Sequence, residues 1–205
     1  MNRISDVSPS TASVRDTICR PMRASDYDIL IIPGYTNSGD DHWQTRWERQ
    51  LSTAQRVVQD DWHYPERTAW IERIRDSVEQ ARRPVILVAH SLGVLAVAQA
   101  AHDLPPGLVK GAFLVTPPDL EQEGSPEAID KTFASSLDRK LPFPSVLVAS
   151  RNDEYCTFER AEDMARTWGA VLADAGNVGH LNIESGHGPW PEGLMRFAGF
   201  LKQLG

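Results

Sequence analysis

Cysteine is scarce in this chain: only Cys19 and Cys156 occur in 205 residues. Two thiols are too few for a four-ligand structural zinc site or a disulfide framework, and a reducing compartment, the cytoplasm, is their simplest setting. Long apolar runs are missing as well. None approaches the roughly 20 residues that a membrane-spanning helix needs, so no membrane partner is expected. Basic clusters are also absent. Lys and Arg total 21 against 28 Asp and Glu, a net charge of −7. A nucleic-acid groove needs a basic stripe, which argues against that class of partner. Neither nucleotide fingerprint occurs: "GYTNSGD" is not G-x-G-x-x-G, and no G-x-x-x-x-G-K-[ST] is found. Residues 1–26 mix Arg, Ser, Thr and acids without an apolar centre. No secretory signal is read there, and Asp6 and Asp16 argue against a transit peptide. We expect a disordered arm over 1–26 and one domain over 27–205. The composition, 41% hydrophobic and 24% charged, is ordinary for a globular chain.

What is present is an alternation of apolar runs and amphipathic stretches. "DILII" (28–32) reads as a buried strand stopped by Pro33-Gly34. In "DDHWQTRWERQL" (40–51), Trp43, Trp47 and Leu51 fall four apart, so a helix with an Asp cap is expected. A short strand is expected around Val57 and Val58. A second helix over 66–81 places Trp70, Ile74 and Val78 on one face. "PVILVA" (84–89) is apolar throughout, as in a central parallel strand covered on both faces. "LGVLAVAQAA" (92–101) is apolar nearly all round, which predicts a buried helix. Strands at 111–116, 145–150 and 170–175 alternate with helices at 158–168 and 192–204. Residues 117–142 form a longer polar connection holding one short helix. This β-α-β-α order predicts an α/β fold, a doubly wound and mostly parallel sheet of about six strands flanked by helices.

One strand-to-helix junction carries a serine: Ala89-His90-Ser91-Leu92-Gly93. A sharp turn from a strand into a helix around serine is the geometry of a nucleophile elbow, whose usual pattern is G-x-S-x-G. Ala89 replaces the first glycine and is still small. The competing reading is a plain helix N-cap, a role serine fills well. If Ser91 is a nucleophile, the N–H of Leu92 at the helix start is one oxyanion donor. The second belongs in the loop after the first strand, where Gly34 allows close approach. Tyr35 is the first choice there and Thr36 the next.

An acid and a base should then follow in chain order, after later strands. "SRNDEYC" offers Asp153 and Glu154, and Asp153 lies nearer the strand end. Its alternative role is to cap the next helix. Of six histidines, His90 is too close to Ser91 in the chain to be its base. His42, His63 and His102 precede the acid. His180 sits directly after the last strand and is preferred to His187. A metal set of His180, Glu184 and His187 matches no recognised ligand motif. No metal or organic cofactor is expected.

The stretches "IIPGYTNSGDDHW", "QDDW", "VAHSLG", "SRNDEYC" and "GHLN…SGHGPWPEG" resemble the small serine hydrolases of the α/β-hydrolase superfamily, the group that includes the retinoblastoma-binding protein 9 esterases and bacterial YdeN-like proteins. The resemblance runs from about residue 28 to the C-terminus and leaves the N-terminal arm uncovered. It implies a compact α/β-hydrolase fold with little or no cap and a triad of Ser91, Asp153 and His180. The chain departs from the family in having Glu154 where many members have proline after the acid. It also lacks an L-x-C-x-E motif, so no protein partner is carried over.

The function this predicts is hydrolysis of small esters or related acyl compounds through an acyl-enzyme, with a small-molecule acyl substrate as partner. Trp43, Tyr35 and Thr36 are candidate pocket residues, although Trp43 could instead pack on Trp47 in the core. Two alternatives are a hydrolase-fold interaction module without useful turnover and an acyltransferase.

Overall fold

The uniformly apolar stretches become the middle of one sheet. A computed structural model describes residues 23–122, 126–135 and 137–204. Strands β1 (Asp28–Ile32), β2 (Ala54–Arg56), β3 (Val85–His90), β4 (Val109–Val115), β5 (Ser145–Ala149) and β6 (Val171–Asp174) are all parallel, in the order β2-β1-β3-β4-β5-β6. Five α-helices flank them among the described residues, four between strands, α1 (Trp43–Gln50), α2 (Arg67–Glu79), α3 (Leu92–Ala100) and α4 (Phe158–Trp168), and α5 (Pro191–Gln203) after β6.

Every residue of β1 and β3 is buried, because helices cover both faces of the sheet. Successive side chains point to opposite faces. Leu30, Ile32, Leu87 and Ala89 therefore enter one core with Trp70, Ile74, Leu95 and Trp168 from α2, α3 and α4. Ile29, Ile31, Ile86 and Val88 enter the other, against Trp43 and Trp47 of α1 and Phe197 and Phe200 of α5.

The chain leaves β1 toward β2 on one side and continues through β3 to β6 on the other. The strand order thus reverses between β1 and β3, whose ends are in register at Ile32 and Ala89. Open α/β sheets bind ligands at such a crevice, beyond the carboxyl ends of the strands.

Several boundaries differ from the sequence expectation. The strand placed at Val57 and Val58 pairs earlier, with Ala54, Gln55 and Arg56 opposite Ile29, Leu30 and Ile31. Val57 N–H makes one further bond to the Ile31 carbonyl, and Val58 is left 65% exposed. Register with β1, not local apolarity, decides this short edge strand. Helix α1 is capped by His42, whose Nδ1 accepts from Gln44 N–H at 3.2 Å, and not by an aspartate. Asp41 pairs with Arg46 instead. Of the arm expected over 1–26, Ala24–Asp26 forms a 3-10 turn, and residues 1–22 lie outside the described residues. The long connection holds a 3-10 turn, Lys131–Ala134, whose Phe133 is fully buried. Gln99 Nε2 of α3 lies within 3.0 Å of the carbonyl oxygens of Thr132, Phe133 and Ser135, which fastens that turn to the domain. No helix among the described residues is long and apolar enough to cross a membrane.

Candidate active site

The turn at Ser91 is strained. Its backbone has φ +54° and ψ −128°, a region L-residues rarely occupy. Ser91 N–H donates to the Val115 carbonyl at 3.0 Å, which ties the turn to the end of β4. The side chain makes no capping bond to α3, so the plain helix-cap reading does not describe it.

Two glycines permit this geometry. A Cβ on Gly93 would lie 2.5 Å from the Pro33 carbonyl oxygen, and one on Gly34 would lie 2.7 Å from Ser91 Cβ. The loop after β1 thus rests directly on the elbow. Ala89 is fully buried beside Ile32 and Leu114, and its methyl is accommodated there. The strict requirement for glycine falls on the far side of the serine and on the facing loop.

The loop after β6 delivers His180, and the loop after β5 delivers Asp153. His180 Nδ1 lies 2.9 and 3.0 Å from the two carboxylate oxygens of Asp153. A carboxylate only accepts, so Nδ1–H donates and the neutral ring leaves Nε2 as an acceptor. Both side chains are nearly closed to solvent, at 5% and 3% exposure. Asp153 also accepts from Tyr155 N–H at 3.0 Å, and the Tyr155 ring stands edge-on to His180 with centroids 4.5 Å apart. Glu154 is exposed at the cavity and takes no part in this pair.

The base loop is held at two successive carbonyls. His90 Nε2 donates to the His180 carbonyl at 2.9 Å, and Thr116 Oγ1 donates to the same oxygen at 3.1 Å. Trp43 Nε1 donates to the next carbonyl, that of Leu181, at 2.9 Å. Burial, then the neighbouring His180 and His42, hold the His90 imidazole well below its usual pKa, so it stays neutral. From the other side, Gln44 Nε2 reaches the Ile32 and Val88 carbonyls at 3.2 and 3.3 Å, joining β1 to β3 beneath the site.

Ser91 and His180 open on a cavity of about 770 Å³. Tyr35, Thr36 and Leu92 line it too. The N–H of Thr36 is committed to the Trp62 carbonyl at 2.9 Å, whereas the N–H groups of Tyr35 and Leu92 have no partner among the described residues. Leu120 and Ile129 of the long connection supply an apolar wall.

Trp43 corrects the expectation of a pocket residue. It is fully buried, packs against Trp47 and Trp190, and does not line the cavity. His187 contacts Ser185 rather than an acid. His180, Glu184 and His187 do not gather as a metal-ligand set among the described residues. Cys156 lies buried behind Asp153, and burial first, then Asp153 and Asp119, push its thiol up to about 12. It is not a nucleophile at neutral pH.

The sequence reading missed Gln44, Thr116 and the structural part played by His90. Gln44 had a detectable signal: a polar residue beside Trp43 on the face of α1 that must be buried. Thr116 had none, because its partner is a backbone carbonyl 64 residues away.

A strained serine between β3 and α3, with an acid and a histidine from the ends of β5 and β6, defines an α/β-hydrolase type of site. The chain belongs to the serine hydrolase family: the family model described as "Serine hydrolase" matches residues 29–199. A Pectobacterium atrosepticum protein described as a YdeN-like hydrolase is 33% identical, with 88% of this chain and 94% of that one covered and a TM-score of 0.76. The ydeN gene product of B. subtilis is 20% identical, with 85% and 98% covered and a TM-score of 0.67. An esterase domain from Rhodothermus marinus is 17% identical, with 86% and 87% covered and a TM-score of 0.63. The last two likenesses concern the fold alone. No curated protein matches.

Proposed function

We propose that this protein hydrolyses small esters or related acyl compounds through Ser91, His180 and Asp153. His180 Nε2 takes the proton of Ser91 Oγ as that oxygen bonds to the acyl carbon. The carbonyl oxygen becomes an oxyanion held by the N–H groups of Leu92 and Tyr35. Asp153 keeps the ring in the required tautomer and stabilises the imidazolium. When the tetrahedral carbon collapses, the bond to the leaving alcohol breaks, and His180 returns its proton to that oxygen. Water then attacks the acyl-enzyme, giving its proton to His180. The second collapse frees the acid and restores Ser91 Oγ–H.

The observation that carries this reading is the pairing of His180 with Asp153 beside a cavity that Ser91 also lines. Among its described lining residues the cavity has Asp119, Glu154 and Glu184 and no Lys or Arg, which disfavours an anionic substrate. Hydrolysis of short p-nitrophenyl esters tests the reading. His180→Ala should lower turnover by about 10³-fold or more, while His187→Ala stays within a few-fold. The reverse order would move the base to His187. No turnover by the folded wild type would favour the interaction-module alternative. Product analysis with added alcohol or amine separates hydrolysis from acyl transfer.

A further inference from the structure

His42 is not used by this mechanism, yet it lines the same cavity. It ends the loop that follows β1 and caps α1. Its ring is 5% exposed, wedged against Trp43 and His90 with centroids 5.5 and 5.0 Å away. Nδ1 accepts from Gln44 N–H, so the neutral imidazole must carry its proton on Nε2. Nε2 has no partner among the described residues, and it is not one of the fully enclosed side-chain atoms that lack one. The open space beside the ring is the cavity. Burial, followed by the charges of Arg56 and His180, pushes the imidazole down to about 4, so the donor persists at any working pH.

We propose that His42 is a substrate-binding residue whose Nε2–H donates to an acceptor oxygen, of the ether, hydroxyl or carbonyl kind, in the limb of the substrate lying along the β1 loop. The inference rests on the serine-hydrolase reading and adds the chemical class of substrate to it.

The physical reason is asymmetric. A donor that opens on a cavity can be satisfied by water before substrate binds. A substrate that displaces the water with hydrocarbon strands a buried donor, whereas one that brings an oxygen replaces the bond. Sites built in this way reject the analogue lacking the polar group far more strongly than a purely apolar pocket can. Leu120 and Ile129, which also line the cavity, offer no such donor to a hydrocarbon limb.

The test uses matched p-nitrophenyl and alkyl esters that differ only by replacement of one CH₂ with oxygen, at successive positions of the acyl and alcohol limbs. In at least one pair the wild type should prefer the oxygen member by about 10–100-fold in kcat/KM, after correction for intrinsic reactivity. His42→Asn keeps an acceptor for Gln44 N–H, and hence the helix cap, but its short side chain does not reach the cavity. That preference should fall to within a few-fold of one. A wild type that prefers oxygen in no pair, or a preference that survives in His42→Asn, overturns the proposal. If the variant folds poorly, the wild-type preference across the pairs still decides. Covalent labelling of the wild type by a fluorophosphonate reports separately on the hydrolase reading, so the two failures are distinguishable.

Discussion

The His90 imidazole donates to the backbone carbonyl of His180, 2.9 Å away, and so the residue beside the candidate nucleophile anchors the candidate base. Thr116 donates to the same oxygen from the end of β4. Two side chains from adjacent strands thereby set where the His180 backbone lies relative to Ser91. Thr116→Val removes one donor with little change of shape. We expect kcat to fall about 10-fold with KM nearly constant, and the melting temperature to drop by only a few degrees. His90→Leu should cost more, because the shorter of the two bonds is lost and the ring packing with His42 and His180 goes with it. His90→Gln, which can present an amide donor, should recover part of the rate. Steady-state kinetics alongside thermal melts check this. A loss of rate that merely follows the loss of folded protein would show a purely structural role.

Asp153 and Glu154 adjoin in sequence but differ in environment. Only Asp153 meets His180. Asp153→Asn should lower kcat by about 10⁴-fold, since an amide no longer fixes the productive tautomer. Glu154→Gln should cost far less, within about 10-fold, because Glu154 lines the cavity but makes no bond to His180. Equal losses would mean that the two acids share the role.

Crowding around the elbow predicts an asymmetry among its small residues. Gly93→Ala would force a methyl against the Ile32 and Pro33 carbonyls, and Gly34→Ala would force one against Ser91 itself. Each should lower stability by about 2 kcal/mol or more and activity with it. Ala89→Gly, which restores the commoner pattern, should cost only about 1 kcal/mol through backbone entropy and leave the rate within a few-fold. Chemical denaturation of the three variants checks the order.

Asp28 gives the fold a pH dependence. Its carboxylate accepts from the N–H groups of Arg82 and Arg83 at 2.7 and 3.0 Å and from the Arg83 guanidinium at 2.9 Å, joining the starts of β1 and β3. Burial alone would raise its pKa, but the Arg83 side chain and the two N–H groups outweigh this and lower it. A depressed folded-state pKa means stability that is fully present above the unfolded value, near 4, and lost as pH falls through the folded one. Asp28→Asn should therefore destabilise the protein at pH 7, and the difference from wild type should shrink below pH 4. Urea titrations across that range measure it.

Much of the architecture was legible in the sequence because parallel strands buried on both faces leave continuous apolar runs, as at 28–32 and 84–89. The edge strand β2 was misplaced by a few residues, because its position follows from pairing with β1, which local composition does not report. The positions that now meet as Asp153 and His180 were accessible through chain order and strand ends, while Trp43 was not. A tryptophan beside a candidate site reads the same whether it faces a cavity or, as here, fills the core and donates inward to Leu181. The cap of α1 was misread for a related reason: aspartate is the commoner cap, and only the folded geometry shows that a histidine nitrogen stands in its place. Adjacency to Ser91 argued against His90 as a base, but its bond to a carbonyl 90 residues away leaves no local trace.

The central claim is that Ser91 is the nucleophile. A fluorophosphonate probe followed by peptide mass spectrometry tests it most directly. The prediction is a single adduct on Ser91 in the wild type, with none in Ser91→Ala and a strongly slowed reaction in His180→Ala. Labelling of Ser91→Ala at the wild-type rate, or no adduct on the correctly folded wild type, would contradict the account.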